Sequence, residues 1–201
     1  MTTLAWPTLA RKLPAQFDWQ LVSNTQTFQS PLSGAVQTVE MPGARWAAQF
    51  TLSSLDAADA AAWRTFAVQL RGQSGRFALW NMARPTPRGV ATGTPVVSGA
   101  GQTGNTLATS GWTPSTTGIL KAGDFIGVNG ELKMVVADAT SDGAGLATLT
   151  LEPPLRSSPA NLAAITTNKP TAVFKMDDDI ARTTTTAPGF DAVSISCTEV
   201  W

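Results

Sequence analysis

From Ala44 to Leu52 the chain alternates strictly: Ala44, Trp46, Ala48, Phe50 and Leu52 share one parity, and Arg45, Ala47, Gln49 and Thr51 the other. A period of two with one apolar set and one mostly polar set marks a half-buried β-strand and commits one face of a sheet to a core. The period then changes. Leu55, Ala58, Ala62, Phe66 and Leu70 recur at helical spacing with Trp63 beside them, which predicts an amphipathic helix from about Asp56 to Arg71. Ser53 or Ser54 is placed to cap its first turn, Asp56 suits the positive end of the dipole, and Gly72 suits the position after its end. Upstream, FQSPLSGAVQTVEMPG reads as a second strand with its turns, and downstream QSGRFALW returns to a strand. Phe28 to Trp80 is thus a scaffold block with no catalytic pattern in it.

The second half is built differently. After Arg84 the chain becomes rich in Gly, Pro, Thr and Ser, yet Val96, Val97, Leu107, Trp112, Ile119 and Leu120 recur through it, so short strands separated by turns are expected. PTPRG is extended, because proline fixes its own φ and restricts its predecessor. Asp124–Val128, Asn129-Gly130 and Glu131–Val136 form a hairpin signal, since both turn residues tolerate positive φ. Leu146–Leu151 returns as a further strand, which LEPPLR is expected to stop. TAVFKM resumes a strand, DDD and ARTTTTAPG read as loops, and FDAVSISCTEVW closes with strict alternation.

A strong closing strand needs a host sheet, and the strand with Trp46 and Phe50 is the natural one. The expected fold is mainly β: a discontinuous sandwich-like domain from residues 1–85 and 170–201 with one amphipathic helix, and an inserted small β-barrel of OB or SH3-like type over 86–169 that folds apart from the ends.

The order SPLSGAVQTVEMPGARW, a short alanine-rich helix, then LRGQSGRFALWNMARPTPRG resembles distal tail proteins of long-tailed (siphovirus-type) bacteriophages and prophages. The resemblance is best in the N-terminal part and looser through GDFIGVNGELKMV, LEPPLR and the closing strand. It implies a structural virion protein of the tail tip, made in the host cytoplasm. Its ring, usually a hexamer, joins the tail tube protein to tip or baseplate hub proteins, with inserted domains facing outward and nucleic acid met only by passage through the lumen.

Composition narrows the alternatives. Charged residues are 14% of the chain and the net charge is zero, so no strong field draws nucleic acid or an anionic membrane. There is no histidine, the commonest acid–base and metal-binding residue, and one cysteine, Cys197, which reads as a small buried side chain. No apolar run reaches the length of a signal peptide core or a membrane span. No catalytic residue, cofactor or metal site is expected. A small hydrolase would need a nucleophile or carboxylate pair that the pattern does not supply.

The candidate site residues are therefore those of an interface. Arg76, Arg84 and Arg88, with Arg71, flank the passage into the insert and could pair with carboxylates of the next subunit or line a lumen. Asp177, Asp178 and Asp179 lack the alternating spacing of a calcium loop, and read as a solvated loop or an intersubunit ion-pair site. Trp6, on the proline-broken arm MTTLAWPTLARKLP, either anchors on a neighbouring subunit or folds back on its own domain. Trp112 is the candidate glycan contact for the alternative function, a carbohydrate-binding module that meets the host surface; core or interface remains the plainer reading of any single tryptophan.

Overall fold

A computed structural model of the chain describes residues 2–7, 14–180, 183–186 and 190–201. Its first part contains β1 (Thr3–Leu4), β2 (Gln16–Val22), β3 (Thr25–Gln29), β4 (Val36–Glu40), β5 (Arg45–Leu55), α1 (Ala57–Leu70) and β6 (Arg76–Leu79). The middle contains β7 (Gly93–Val97), β8 (Gly104–Trp112), β9 (Phe125–Val128), β10 (Glu131–Val135) and β11 (Ala147–Leu155). The last part contains β12 (Ala172–Met176), β13 (Thr183–Thr186) and β14 (Phe190–Glu199). The protein is mainly β, with α1 its α-helix among the described residues.

The alternating stretch becomes β5, with Trp46, Ala48, Phe50 and Leu52 buried. β14 lies antiparallel beside it and pairs Val193 with Leu52, Ile195 with Phe50 and Cys197 with Ala48, so two buried rows share one face. Near its end β5 sets two residues, Ser53 and Ser54, against one on β14, Ala192, a bulge in which Ser54 has φ 55°. The extra residue returns Leu55 to the buried face and turns the chain into the helix. Ser53 and Ser54 lie within that strand, and the cap is Asp56, whose carboxylate accepts from the Asp59 N–H at 2.8 Å. The helix ends on its C-cap Arg71 in the left-handed region, φ 51°, and Gly72 takes the position after it as expected, also at positive φ, 65°. Trp63, Phe66 and Leu70 are buried in the core shared with the sheet, and Arg64 is ion-paired to the buried Asp191 of β14.

Strands from both ends of the chain build one sheet in the order β1-β6-β12-β14-β5-β2, with β13 also paired to β14. Thr183–Thr186, read from sequence as part of a loop, is a strand; residues 181–182 and 187–189 of the same stretch lie outside the described residues, as do 8–13 of the N-terminal arm.

The middle of the chain forms a five-stranded sheet in the order β7-β8-β11-β10-β9, curled into a half-barrel. Its two edges are joined by residues 164–166, through the bridges Val96 to Ala164 and Gly127 to Thr166. The Asn-Gly turn forms as its chemistry dictates, with φ 51° at Asn129 and 75° at Gly130. One expectation fails: Pro153 and Pro154 do not stop the strand, which runs to Leu155. The pairing of β11 with β8 shifts register between Thr150 and Leu155, so the prolines fall in the irregular part of the ladder, where their missing N–H groups cost least.

The two sheets share a wall. On the β9–β10 hairpin, Phe125, Leu132 and Met134 face the core that holds Trp46, Phe174 and Ile195, while Ile126, Val128 and Val135 enter the half-barrel core. Burial on both faces replaces the one-sided pattern of a solvated antiparallel pair. The insert over 86–169 therefore contributes one wall of the core of the terminal sheet.

Two outcomes follow from this packing. Phe66→Ala removes a buried ring that lies 5.2 Å from Trp63 and 5.7 Å from Phe77, and should lower stability by about 3–5 kcal/mol in denaturant titration. Replacing residues 86–169 by a short Gly-Ser linker uncovers Trp46 and Trp19, which pack against Phe125, so the remainder should be unfolded or aggregated by circular dichroism and light scattering. A soluble, cooperatively folded remainder would show that the terminal sheet does not need the shared wall.

Candidate functional site

Among the described residues β3 and β4 pair with each other and with no other strand. Alternating Thr, Gln and Val favour the strands, and Ser30 and Gly34 close the turn through the Gly34 N–H to Ser30 carbonyl bond of 2.9 Å. All ten strand residues are exposed. A two-stranded ribbon is at best marginally stable alone in water, so this one is suited to being covered. It also displays apolar groups: Phe28 is 60% exposed, Leu32 at the tip 98%, Val36 57% and Val39 49%. The pairing places Phe28 and Val39 on one face and Val36 on the other. Between Trp19 and Ala44 the only charged residue is Glu40. The Lys, Pro and inward-pointing charges that normally blunt an exposed edge are missing from these strands.

Two further edges are open. The antiparallel run β13-β14-β5-β2 ends in β13 on one side and β2 on the other, and neither has a second partner among the described residues. β13 is four threonines, and β2 carries one charge, Asp18. Open edges of this kind accept an added strand through main-chain hydrogen bonds.

The residues singled out from sequence are not brought together. Trp6 packs within its own subunit, with ring centroids 5.2 Å from Phe50, 5.5 Å from Trp63 and 6.4 Å from Trp80. The parallel pairing of β1 with β6 brings Trp6 onto the aromatic core, and of the two readings of Trp6 this geometry favours packing on its own domain over an intersubunit anchor. Trp112 is 3% exposed in the half-barrel core, its indole N–H donating to Thr109 Oγ1 at 2.7 Å, so it offers no face to a sugar. Arg88 is held internally, its guanidinium donating to the Ala122 carbonyl and its N–H to the Asp124 carboxylate at 2.8 Å. Arg76 Nη1 donates to the carbonyls of Gln73, Ser74 and Gly75 at 2.9–3.1 Å. Asp179 accepts from the Gln73 N–H at 2.9 Å and Asp177 from Thr198 Oγ1 at 2.7 Å. Arg84 and Asp178 are exposed and remain open to a partner. Among the described residues no group of three or more acidic or cysteine side chains is placed to hold a metal ion.

The most concentrated electrostatics lie where the half-barrel meets the terminal sheet, at residues the sequence reading passed over. Lys133 is fully buried, with Nζ 2.7 Å from Glu131 Oε2 and donating to the Pro154 carbonyl at 2.7 Å. Arg156 crosses from the insert to the buried Glu199 of β14, whose other oxygen accepts from the Trp46 N–H at 3.0 Å. Burial alone would raise the Glu131 pKa, but the Lys133 ammonium, the Arg156 N–H and Ser157 outweigh it and hold the carboxyl below its ordinary 4.5. Burial pushes the Lys133 ammonium the other way, below its usual range, with Glu131 partly offsetting it. Burial, with Asp177 adding to it, pushes the Cys197 thiol up, so it stays an inert packing group whose Sγ lies 3.5 Å from the Ala48 carbonyl.

A depressed carboxylate pKa contributes stability that is present above the unfolded value and lost as pH falls through the folded one. The melting temperature should therefore drop as pH falls below about 4.5. In Glu131→Gln it should be lower at neutral pH and decline less steeply over the same acid range. An unchanged acid profile in that variant would place the proton uptake elsewhere.

No protein-family model matches the chain, and a search of curated proteins finds no match.

Proposed function

We propose that this protein is a structural assembly component, with no catalytic role, whose copies join head to tail into a ring at the tail tip of a long-tailed bacteriophage. The observation that carries the reading is the projecting β3–β4 ribbon, apolar at its tip and on both faces and nearly free of charge. Such an arm suits burial against another subunit, and one that reaches outward favours a contact between unlike patches. Heterologous contacts of that kind close into rings when the rotation allows. The open edges at β2 and β13 supply a second pair of unlike surfaces in the same sheet.

The tail-tip setting rests on the resemblance of the 28–88 region to distal tail proteins. With it come the expected hexamer, the tail tube protein on one side, tip or baseplate hub proteins on the other, and DNA passing through the lumen. A neutral chain suits that passage, since a polyanion meets no excess of Lys and Arg to hold it. The carbohydrate-binding alternative depended on Trp112 and has no other exposed aromatic platform in the half-barrel to support it.

Light scattering and negative-stain microscopy of the full chain should show rings, alone or on purified tail tubes. Phe28→Asp should leave the chain folded, because Phe28 is 60% exposed and belongs to neither core. It should weaken assembly by about thirtyfold or more if the ring is an anchor at the contact. Normal assembly of that variant, and of a second one with residues 25–40 replaced by a tight turn, would remove the ribbon from the interface.

A further inference from the structure

A cavity of about 530 Å³ opens between the Asn129-Gly130 turn and the strand ends that carry Arg76, Val173 and Val200. Arg156 and Trp201 complete its walls, and two observations set it apart from the other surface hollows. The first is unmet hydrogen-bonding capacity. Arg156 Nη2 is engaged by Glu199, but Nε and Nη1 are buried without an acceptor, and Nε lies 3.6 Å from Glu131 Oε2, beyond hydrogen-bond reach. Unmet buried donors on a charged group are costly, and folded proteins keep few of them. The second is charge. Arg76 and Arg156 of the lining, with the Lys133 ammonium behind them, stand against the carboxylates of Glu131 and Glu199, which leaves one positive charge in excess among these groups, and Glu131 already accepts from Lys133, Ser157 and the Arg156 N–H.

What covers the spare donors is movable. The indole of Trp201 lies over the Arg156 guanidinium at 4.4 Å, yet Trp201 is itself 73% exposed. A cation–π contact at an exposed site is weak, about 0.5–1 kcal/mol, so a stronger acceptor can displace it.

We propose that this cavity binds a single carboxylate carried on an apolar stem. One of its oxygens accepts from Arg156 Nη1, Arg76 stands as the second cation, and Val173 and Val200 flank the stem. Trp201 is the cover that swings aside on binding. A carboxylate supplies what the cavity lacks, one negative charge and one acceptor, and a charge-assisted bond of this kind is roughly twice as strong as a neutral one. The site does not depend on ring formation: it belongs to a single copy of the chain.

The test uses the full chain, with hexanoate as probe, hexanamide as its neutral counterpart, and the peptide acetyl-Ala-Leu-Glu-Leu-Ala-amide as the protein-borne form. Binding is read from the Arg156 Nε–H resonance in a ¹⁵N spectrum and from tryptophan emission. Hexanoate should shift both saturably and hexanamide neither, and whichever acid binds tighter identifies the source. Arg76→Gln should weaken hexanoate about tenfold, and Trp201→Ala, which disturbs only an exposed side chain, should strengthen it. Equal binding of hexanoate and hexanamide, or an Arg156 resonance unmoved at saturating hexanoate and peptide, would overturn the proposal.

Discussion

Trp46 is the residue through which the parts of this protein hold one another. Its backbone N–H is fixed by the Glu199 carboxylate of the closing strand, and its indole N–H by the Leu132 carbonyl of the insert at 2.9 Å. Its ring stacks on Trp19 of β2 at 5.6 Å and meets Phe125 of β9 edge-on at 5.4 Å. Three parts of the chain, β2, the β9–β10 hairpin and β14, therefore converge on this one residue, each by a contact with its own geometry. Apolar burial alone would tolerate many relative placements of the two sheets; the hydrogen bonds from both nitrogens of Trp46 select one.

The polar cluster beside it works to the same end. Removing Lys133, Glu131, Arg156 and Glu199 from water is expensive, and their mutual attraction offsets that only in one arrangement. A chain poor in charge that places four charged groups together at one seam is using them to define the seam's geometry, while its core supplies the stability. The exposed ribbon is the opposite case: it shows apolar groups to solvent, carries Glu40 as its one charge, and pairs with no other strand among the described residues.

The elements with an unambiguous local code were legible before the fold was known. The alternation through Trp46, Phe50 and Leu52, the matching parity of Val193, Ile195 and Cys197, the period change into the helix and the Asn-Gly turn each fix structure within a few residues. What was not legible depended on neighbours distant in the chain. Glu131 and Lys133 share a parity that reads as a solvated face, and only the half-barrel above them makes it a buried one. Pro153 and Pro154 read as a stop because sequence does not announce a register shift. Trp6 and Trp112 carry the same side chain as an interface anchor or a sugar platform, and burial alone tells the difference. Val36 and Val39 sit in a strand-like run, and no local signal says that both of its faces stay exposed.

The shared wall has a mechanical meaning. Because β9 and β10 present one face to each core, the insert is a lever fused to the sheet and not a weight on a string. To tilt it, Phe125 and Leu132 must slide past Trp46 while Ile126 and Val135 keep their places in the half-barrel, and close-packed interiors resist such partial sliding. Displacement of the half-barrel therefore strains β5 and β14 through this wall, because a packed interior has little slack to absorb it.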